Sequence, residues 1–375
     1  MKWFRKHKVI TGFLCTFLMI ILVLVSIAAG FVWSKLSLID YQKDSGRPGE
    51  HADVQQVTGE AAETESAELQ EQPNQEEEQL IDISGLEMVE SIPAIPEAQV
   101  EKKKDVLNIM VLGTDERGGK LTDSARSDSM ILVSINKTDK TVKLVSMERG
   151  MGVPVLWGPY EGQYDWMTHM FRYGGAEMVC AVVEECFRVE VDYYVRVNFT
   201  TVKTVVDSIG GIDLELTGSE AGYMNACLVG EGRPHLARLQ KGTNHVEGYV
   251  ALMYARLRAI DSDWQRVERQ RKVILATVNA LKGSSLLELN NLMDQVLPLV
   301  QTDMNALEIA DLMLYSPNFL QSEFDQMTIP KQGTYGGMTG MGGRGLFAVD
   351  FDVNSQILKD FLYGDGTEPT SQPAE

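Results

Sequence analysis

The chain has few of the residues from which metal and disulfide frameworks are built. Among its 375 residues there are four cysteines and five histidines. No Cys-x-x-Cys pair and no His-Glu-x-x-His pattern occurs, so the common protein zinc sites are not expected. Cys180, Cys186 and Cys227 lie in amphipathic segments, where a free cysteine commonly acts as a small buried apolar residue. One pair of them could oxidise outside the cytoplasm and leave a third thiol, and the sequence leaves this open.

Motifs of nucleotide and hydrolase chemistry are also missing. Gly118, Gly119 and Lys120 lack the spacing of a P-loop, and no Gly-x-Ser-x-Gly elbow occurs. The glycines between residues 336 and 345 do not join a predicted strand to a predicted helix, as a dinucleotide fold requires. The informative features are therefore the distributions of charge and of apolar residues.

Basic residues are absent from one long stretch. Between residues 50 and 101 there are fifteen Asp or Glu and no Lys or Arg. Subtracting those fifteen charges from the net charge of −19 leaves −4 for the rest of the chain. The acidity therefore belongs to a linker and not to the functional domain. We expect residues 36–104 to be a disordered, self-repelling spacer, because this composition buries too little apolar area to offset chain entropy.

An uncharged, apolar run at residues 9–34 follows four basic residues near the N-terminus. At about 1.5 Å per residue, the run can cross a hydrocarbon core about 30 Å thick. We expect residues 1–35 to form a cytoplasmic basic end and a single transmembrane anchor, with the rest of the chain outside the cytoplasm. The alternative is a cleaved signal peptide, for which Ser26-Ile27-Ala28 is a weak cleavage motif.

Alternating apolar periods predict a layered α-β-α domain with a central mixed sheet. We expect this domain at residues 105–285, completed by helices and a final strand and helix over 286–364. A flexible glycine-rich loop is expected at 333–345 and a disordered tail at 365–375. The predicted strands cover 106–112, 129–135, 141–147, 193–199, 212–216 and 346–351, and the predicted helices cover 175–187, 200–209, 245–257, 264–281, 286–300, 306–315 and 354–363.

Two carboxylates stand at the ends of neighbouring predicted strands. Asp115 directly follows the first strand and Asp128 opens the second. Side chains at such strand ends build the sites of α/β domains, and two Asp with phosphate oxygens and water are a usual Mg²⁺ set. The alternative is that both are turn residues, a position that Asp favours.

The densest positive cluster lies at residues 254–270. Guanidinium groups gathered on one surface repel each other unless an anion sits among them, and the expected anion is phosphate or pyrophosphate. The alternative is a solvated basic face with local ion pairs, and Asp263 or Ser262 could equally be the N-cap of the helix that follows. The cluster comprises Arg256, Arg258, Arg266 and Arg269, with Gln270 on the same helix face as the last two.

Two further residues are candidates at the same sheet edge. Arg149 follows the third predicted strand and would project beside the carboxylates, although a solvated Arg is the alternative. His169 is interpreted as a partly buried structural residue in preference to a general base.

These blocks resemble the LytR-CpsA-Psr family of membrane-anchored bacterial cell-envelope proteins. The resemblance implies a Mg²⁺-dependent phosphotransferase that moves a glycopolymer, such as teichoic acid or capsular polysaccharide, from an undecaprenyl-pyrophosphate carrier to a peptidoglycan hydroxyl, forming a phosphodiester. Its partners would be the lipid-linked polymer, peptidoglycan and the membrane, with no nucleic acid. A non-catalytic envelope protein that binds lipid carriers or regulates wall assembly is the alternative. The matching blocks are residues 108–115, 126–130, 146–149, His169 with Gly174 and Gly175, 206–212 and 254–270.

On this resemblance Asp115 and Asp128 would hold Mg²⁺ or Mn²⁺, and Arg126, Arg149 and Asp128 are the candidate catalytic residues. The pyrophosphate-binding candidates are Arg149, Arg256, Arg258, Arg266, Arg269, Gln270 and Asp263. The candidates to line a polyprenyl groove, with core packing as their alternative role, are Met178, Val182, Val183, Val205 and Ile209.

The chain departs from the family pattern in two places. Residues 146–150 read Ser-Met-Glu-Arg-Gly where the family usually reads Ser-Ile-Pro-Arg-Asp. Trp166 begins a Trp-Met-Thr-His block where the family usually reads Lys-Ile-Asn-His. The first departure loses a proline and a carboxylate, and the second loses a cation, while Arg149 is retained.

Overall fold

The computed structural model describes residues 40–41, 81–91, 94–115, 125–282 and 286–364. The predicted anchor at 1–35, most of the predicted linker and the tail at 365–375 lie outside these residues. Within the described part, no helix combines the length and the apolar character needed to span a membrane. The expectation of an N-terminal anchor therefore stays a prediction.

The described residues form an α/β fold around a mixed seven-stranded sheet, as predicted. Three short 3-10 turns, at Met167–His169, Leu297–Leu299 and Met341–Gly343, connect the elements. The strands are β1 (Asp40–Tyr41), β2 (Val106–Thr114), β3 (Ser127–Asn136), β4 (Thr141–Met147), β5 (Gly152–Pro154), β6 (Tyr164–Trp166), β7 (Tyr193–Asn198), β8 (Ile212–Leu216), β9 (Gly242–Val246), β10 (Gln301–Thr302), β11 (Glu323–Ile329), β12 (Tyr335–Thr339) and β13 (Gly345–Val349). The helices are α1 (Met170–Phe187), α2 (Phe199–Ser208), α3 (Gly218–Gly230), α4 (Gly248–Arg256), α5 (Asp263–Leu281), α6 (Leu286–Val296), α7 (Ala306–Gln321) and α8 (Phe351–Tyr363).

The main sheet has the strand order β1-β10-β7-β2-β3-β4-β11. Strands β2, β3 and β4 form the antiparallel meander that the apolar runs predicted. Strand β7 joins β2 in parallel, and β11 joins β4 in parallel. Strand β11 was not predicted, because the sequence indicated neither its start after α7 nor its pairing with β4, which is distant in the chain.

One face of the main sheet is fully buried. On β2 it carries Met110, Leu112 and Thr114, each 0 % exposed, and on β7 it carries Tyr194 and Arg196. Helix α1 packs on this face, with α8 behind it. We call it the closed face.

The opposite face of the same strands is apolar and unevenly covered. Val111 on β2 and Val197 on β7 are half-buried, although they lie on interior strands of the sheet. Val133 on β3 packs against the cluster on α5, and Val195 on β7 packs against Met304 and Ile309. We call this the open face. Helix α5 covers its β4 side, where Ile131, Val142 and Leu144 form a small core cluster with the helix.

A second small core lies beside α5. Strands β8 and β9 form a separate hairpin that packs with α2, α3, α4 and α5. The predicted helix at 245–257 is wrong at its start, because His245 belongs to β9 and the helix begins at Gly248. His245 is held in the strand by Asp213 on β8, whose Oδ1 lies 2.8 Å from its Nδ1.

The glycine-rich stretch is not a flexible loop. Residues 335–339 and 345–349 form the antiparallel hairpin β12–β13. Part of the predicted linker also lies on the fold: residues 81–91 and 94–104 are placed against it, and Ile81 is 7 % exposed. Strand β1, at Asp40–Tyr41 of the main sheet, also falls within the predicted linker. The folded part of the chain therefore begins before the predicted start at Asp105.

The three described cysteines are free thiols in the structure. Cys186 is completely buried in the core between the closed face and α1. Burial raises the pKa of the Cys186 thiol well above its ordinary value, which makes it unreactive. This agrees with the interpretation of these residues as small apolar side chains.

Candidate active site

The site is organised by an irregularity where β2 meets β3. Gly113 pairs with Ser129 and Thr114 pairs with Ser127, so Asp128 is an extra residue on β3. Such a β-bulge re-aims the side chain of the extra residue and is common next to active sites. Asp128 is half-buried there, at the edge where the open face ends.

Asp115 extends β2 by one residue and is tied to Arg126. The Asp115 amide donates to the Arg126 carbonyl at 3.2 Å, and the Arg126 amide donates to Asp115 Oδ1 at 2.8 Å. Arg126 Nε also lies 3.3 Å from Asp115 Oδ2. The two residues therefore close the loop between β2 and β3 and hold one carboxylate and one guanidinium at the sheet edge.

The second arginine block reaches the same edge. Arg258 Nη2 lies 3.6 Å from Asp128 Oδ2, and both side chains are partly exposed. Arg256, the last residue of α4, is exposed and stacks its guanidinium 4.5 Å from the ring centre of Phe199. The structure therefore brings Arg258 together with the predicted carboxylates, as the sequence analysis expected.

Arg149 follows β4 and is 7 % exposed. Its carbonyl accepts a hydrogen bond of 3.2 Å from the Thr168 amide, and the Thr168 hydroxyl donates to the Ser127 carbonyl at 3.0 Å. Thr168 thus fastens the Arg149 loop to the start of β3, one residue before Asp128. This bridging role of Thr168 was not apparent from the sequence.

Arg269, predicted to bind pyrophosphate, lies among protein partners in the structure. It is 3 % exposed, and its Nε donates to Glu220 Oε1 at 2.8 Å while its Nη1 donates to the Leu257 carbonyl at 2.8 Å. Both of its terminal nitrogens also contact the Asp261 carboxylate. These bonds use four of the five guanidinium N–H groups, so the geometry gives Arg269 a structural role joining α3, α5 and the loop between α4 and α5.

The other candidates on α5 lie nearby. Arg266 is 1 % exposed and sits one turn before Arg269. Gln270 is half-buried, and Asp263 is the first residue of α5, with Ser262 as its N-cap residue. Of the two residues predicted as the cap, Ser262 is therefore the one that precedes the helix.

Burial alone would raise the pKa of Glu220. Its ion pair with Arg269 and its hydrogen bonds with Thr217 outweigh burial and lower that pKa below its ordinary value. Glu220 therefore stays ionised and supports the position of Arg269.

A metal would find two carboxylates at this edge. Among the described residues, no group of three or more His, Cys, Asp or Glu is arranged to hold an ion. Asp115 and Asp128 each lie beside an arginine, and Mg²⁺ is commonly bound by one or two carboxylates together with substrate phosphates. The donor chemistry of this pair therefore fits an ion that arrives with a phosphate ligand, and does not fit a cage made of protein alone.

One charged group of the closed face, Arg196, was missed by sequence reasoning. Arg196 is 2 % exposed, with its Nη1 at 3.0 Å from Gln301 Oε1 and its guanidinium 4.6 Å from the ring centre of Phe171. Its Nε lies 3.4 Å from Thr114 Oγ1, next to Asp115. A signal existed, since Arg196 is the one charged residue in the alternating strand β7.

His169 is a buried structural residue, as interpreted from the sequence. Its Nδ1 lies 2.8 Å from Asp165 Oδ2, which also accepts a hydrogen bond of 2.6 Å from the Tyr173 hydroxyl. Arg344 contacts the same carboxylate. Burial alone would raise the pKa of Asp165, but the bonds from His169 and Tyr173 outweigh it and lower that pKa below its ordinary value.

The departures from the family pattern all face the β12–β13 hairpin. The Gly150 carbonyl accepts a hydrogen bond of 2.9 Å from the Phe347 amide, and Trp166 Nε1 donates to the Gly345 carbonyl at 2.7 Å. Glu148 is completely buried. The pKa of Tyr335 on β12 is raised first by burial and second by the charge of the nearby Glu148. These substitutions therefore belong to one surface on which the hairpin rests.

The candidate polyprenyl residues divide between the two faces. Met178, Val182 and Val183 are completely buried between α1 and the closed face, so their alternative role as core is confirmed. Val205 and Ile209, in and after α2, are half-buried, and Ile209 packs against the second small core. The candidates on α1 are therefore packed in the core and not exposed to an apolar ligand.

A sequence model of the LytR_cpsA_psr family matches residues 55–354. The polyisoprenyl-teichoic acid–peptidoglycan teichoic acid transferase TagT of Bacillus subtilis is 35 % identical over 184 residues, which is 48 % of this chain and 55 % of TagT. The corresponding transferase TagU of Bacillus cereus is 31 % identical over 236 residues, 62 % of this chain and 71 % of TagU.

Solved structures of similar proteins have a similar fold. One described as TagT bound to LI-WTA superposes with a TM-score of 0.56 at 26 % identity, covering 70 % of this chain and 93 % of that one. The family match spans most of the sequence and includes the bulge, the arginine block and the sheet edge described above. This chain therefore belongs to the LytR-CpsA-Psr family.

Proposed function

We propose that this chain is a glycopolymer transferase of the bacterial cell envelope. It would transfer a teichoic acid or capsular type of glycopolymer from a polyprenyl-pyrophosphate carrier, such as undecaprenyl pyrophosphate, to a peptidoglycan hydroxyl. Relatives that are named transferases support the general reaction. The identity of the polymer and of the carrier are proposals for this chain.

The observation that carries the proposal is the junction of an apolar surface with a charged edge. Val111 and Val197 on the open face are only half-buried although they lie on interior strands. At the edge of this face Asp115 follows β2 and Asp128 lies at the start of β3, each beside an arginine. A polyprenyl pyrophosphate likewise joins an apolar chain to an anionic head group, which would lie at the charged edge.

The charged edge would act on the pyrophosphate. Arg258 and Arg126 would neutralise charge on its non-bridging oxygens, and Arg149 would orient the phosphate that is transferred. Asp115 and Asp128 would hold Mg²⁺ or Mn²⁺, which supplies further neutralisation of phosphate charge when bound. The buried pair of Arg269 and Glu220 would hold the arginine block in place without touching the substrate.

The bond changes follow from the substrates. The acceptor hydroxyl oxygen forms a bond to the phosphorus that carries the glycopolymer, and the bond from that phosphorus to the bridging oxygen breaks. Polyprenyl monophosphate leaves, and the hydroxyl proton passes to a base. Asp128 is our candidate for this base, because the bulge sets it at the edge beside Arg258.

A non-catalytic lipid-binding or regulatory protein is the second candidate function. The loss of the carboxylate after Arg149, where Gly150 stands, favours it. Such a protein would bind the same lipid on the open face without releasing polyprenyl monophosphate.

Turnover of a lipid-linked donor separates the two candidates. Full-length protein in detergent is incubated with a polyprenyl-pyrophosphate-linked glycan, and polyprenyl monophosphate is measured with Mg²⁺ and with EDTA. The transferase releases monophosphate with Mg²⁺, and the Asp115→Asn variant releases little. Binding of the donor without any release would contradict the transferase and establish the second candidate.

A further inference from the structure

Residues 81–89, which we call the docked segment, lie on glycines from two distant parts of the chain. A methyl group placed on Gly150 would lie 2.8 Å from both Cδ1 and Cγ1 of Ile81. A methyl group on Gly345 would lie 3.0 Å from the Ile81 carbonyl oxygen, and one on Gly336 would lie 2.7 Å from the Glu87 carbonyl oxygen. A side chain at any of these three positions would therefore require the segment or its Ile81 side chain to shift.

Hydrogen bonds fix the segment against β12. The Gly337 amide donates to the Glu87 carbonyl at 2.8 Å, and the Val89 amide donates to the Gly337 carbonyl at 2.9 Å. Met88 and Gly337 form a parallel bridge. The segment thus adds a short third strand to the β12–β13 hairpin, a form of strand addition in which the main chain gives the affinity.

The side chains of the segment alternate in burial. Ile81 is buried, Ile83, Leu86 and Val89 are half-buried, and Asp82 and Glu87 between them are exposed. Ile83 and Leu86 pack on the main core together with Ile81. The acidic linker therefore ends in an apolar stretch that fits the glycine-lined groove.

The groove adjoins the loop that carries Arg149. Gly150, beneath Ile81, is the next residue after Arg149, and its carbonyl accepts a hydrogen bond from the Phe347 amide of the hairpin. Met151 forms a further bridge with Phe347. A displacement of Ile81 would therefore change the packing around Gly150, the residue next to Arg149.

We infer that the docked segment is a positioning element for Arg149: Ile81, seated on Gly150, fixes the loop at residues 148–150 and couples the membrane-proximal linker to the site. This inference rests on the proposed function, since it gives Arg149 its role at the pyrophosphate. It also accounts for Gly150, because the aspartate usual in the family would occupy the place of Ile81.

The inference is tested by adding a methyl group at Gly150 and removing the branch of Ile81 that this methyl group would contact. The variants are Gly150→Ala, Ile81→Ala and the double variant, all in full-length protein. Gly222→Ala in α3 is the control, because a methyl group there meets nothing within 4 Å. Two quantities are measured: hydrogen exchange of the peptide covering residues 81–89, and the affinity for polyprenyl pyrophosphate in detergent.

Gly150→Ala should speed hydrogen exchange at residues 81–89 and weaken lipid affinity about tenfold, a change of about 1.4 kcal/mol. Removing the Ile81 branch in the double variant makes room for the new methyl group, so affinity should return to within about threefold of wild type. Turnover, where measured, should follow affinity, and Gly222→Ala should match wild type in both quantities.

Three results would overturn the inference. Gly150→Ala could release the segment with unchanged affinity, or leave the segment docked, or lose affinity that the double variant does not recover. Failure of the proposed function looks different: the wild-type protein would then neither bind nor turn over the lipid, whatever the variants do.

Discussion

At the scale of single residues, Arg258 and Arg269 of the second block lie in different surroundings. Arg258 is partly exposed beside Asp128 at the sheet edge, whereas Arg269 is buried between Glu220 and Asp261. An exposed pair is easily opened by a competing anion, because solvent screens its attraction. A buried guanidinium with four of its five N–H groups bonded is less available in this way. Both arginines come from one sequence cluster, so burial and not spacing separates them.

Replacing Asp128 by Asn should abolish function but not folding. Loss of the carboxylate removes the candidate base and metal ligand, and turnover should fall about 100-fold or more. The free energy of unfolding in urea should change by less than about 1 kcal/mol, since the lost pair is partly exposed. Asp325→Asn, at an exposed position of β11, is the matched control and should leave both quantities unchanged. Full turnover by Asp128→Asn would remove this residue from the mechanism.

Replacing Arg269 by Met should mainly reduce the stability of the fold, whereas Asp128→Asn should mainly reduce turnover. The change leaves the buried Glu220 and the half-exposed Asp261 without this partner, which should lower the free energy of unfolding by about 3 kcal/mol. Lys272→Met, which breaks the half-exposed pair with Glu268, should cost less than about 0.5 kcal/mol. Unchanged stability together with lost turnover in Arg269→Met would instead place this guanidinium at the phosphate, as its position in the sequence cluster first suggested.

At the scale of elements, the main sheet differs between its two faces. Adjacent residues of β2 alternate between a completely buried side chain, Leu112, and a half-exposed one, Val111. This half-buried apolar surface on interior strands is the feature on which the proposed lipid site rests.

Enlarging these two side chains gives a direct comparison. Val111→Phe should fit into the open face, keep the free energy of unfolding within about 1 kcal/mol, and reduce the polyprenyl phosphate that native mass spectrometry finds bound to purified protein. Leu112→Phe overfills a packed core and should destabilise the fold by about 1–3 kcal/mol. Equal destabilisation by both changes would show that the open face is closed in solution.

The sequence was sufficient to predict most elements whose apolar period is local. The strands at 141–147 and 212–216 match the prediction, and the central meander followed from three apolar runs. Helix α3 was missed although its start carries a capping box between Thr217 and Glu220. That local signal was available and was overlooked.

Other features could not be predicted because they depend on contacts between distant segments. The bulge at Asp128 appears only when β3 is aligned with β2. The role of Arg269 depends on Glu220, 49 residues away, and the reason for Gly150 depends on Ile81. Strand β12 was taken for a loop because its glycines, which make room for residues 81–89, weaken every local strand signal.

At the scale of the whole molecule, buried carboxylates join its parts. Asp165 links the start of α1 to the β12–β13 hairpin through Arg344, and Glu220 links α3 to α5 through Arg269. Both have a pKa lowered below the ordinary value by these partners, against the effect of burial. Their ionised state therefore supports the assembled fold.

This arrangement predicts the acid stability of the protein. A lowered pKa in the folded state gives stability that is present above the unfolded pKa, about 4 for these groups, and is lost as pH falls through the folded pKa. The free energy of unfolding in urea should therefore fall below about pH 4. Glu220→Gln should show a shallower fall, and this difference isolates Glu220 from other groups such as Glu184, whose pKa burial raises. A steeper fall in Glu220→Gln would contradict the assigned ion pair.

The central claim is that the charged edge and the open face act together on one lipid-linked substrate. The most direct measurement incubates full-length protein with a polyprenyl-pyrophosphate-linked glycopolymer, Mg²⁺ and peptidoglycan, and then looks by mass spectrometry for the phosphodiester in digested wall fragments. We expect the phosphodiester with the wild-type protein, and a loss of it in both Asp128→Asn and Val111→Phe. Wild-type protein that binds the lipid on its open face but forms no phosphodiester would contradict the account and leave a lipid-binding protein in its place.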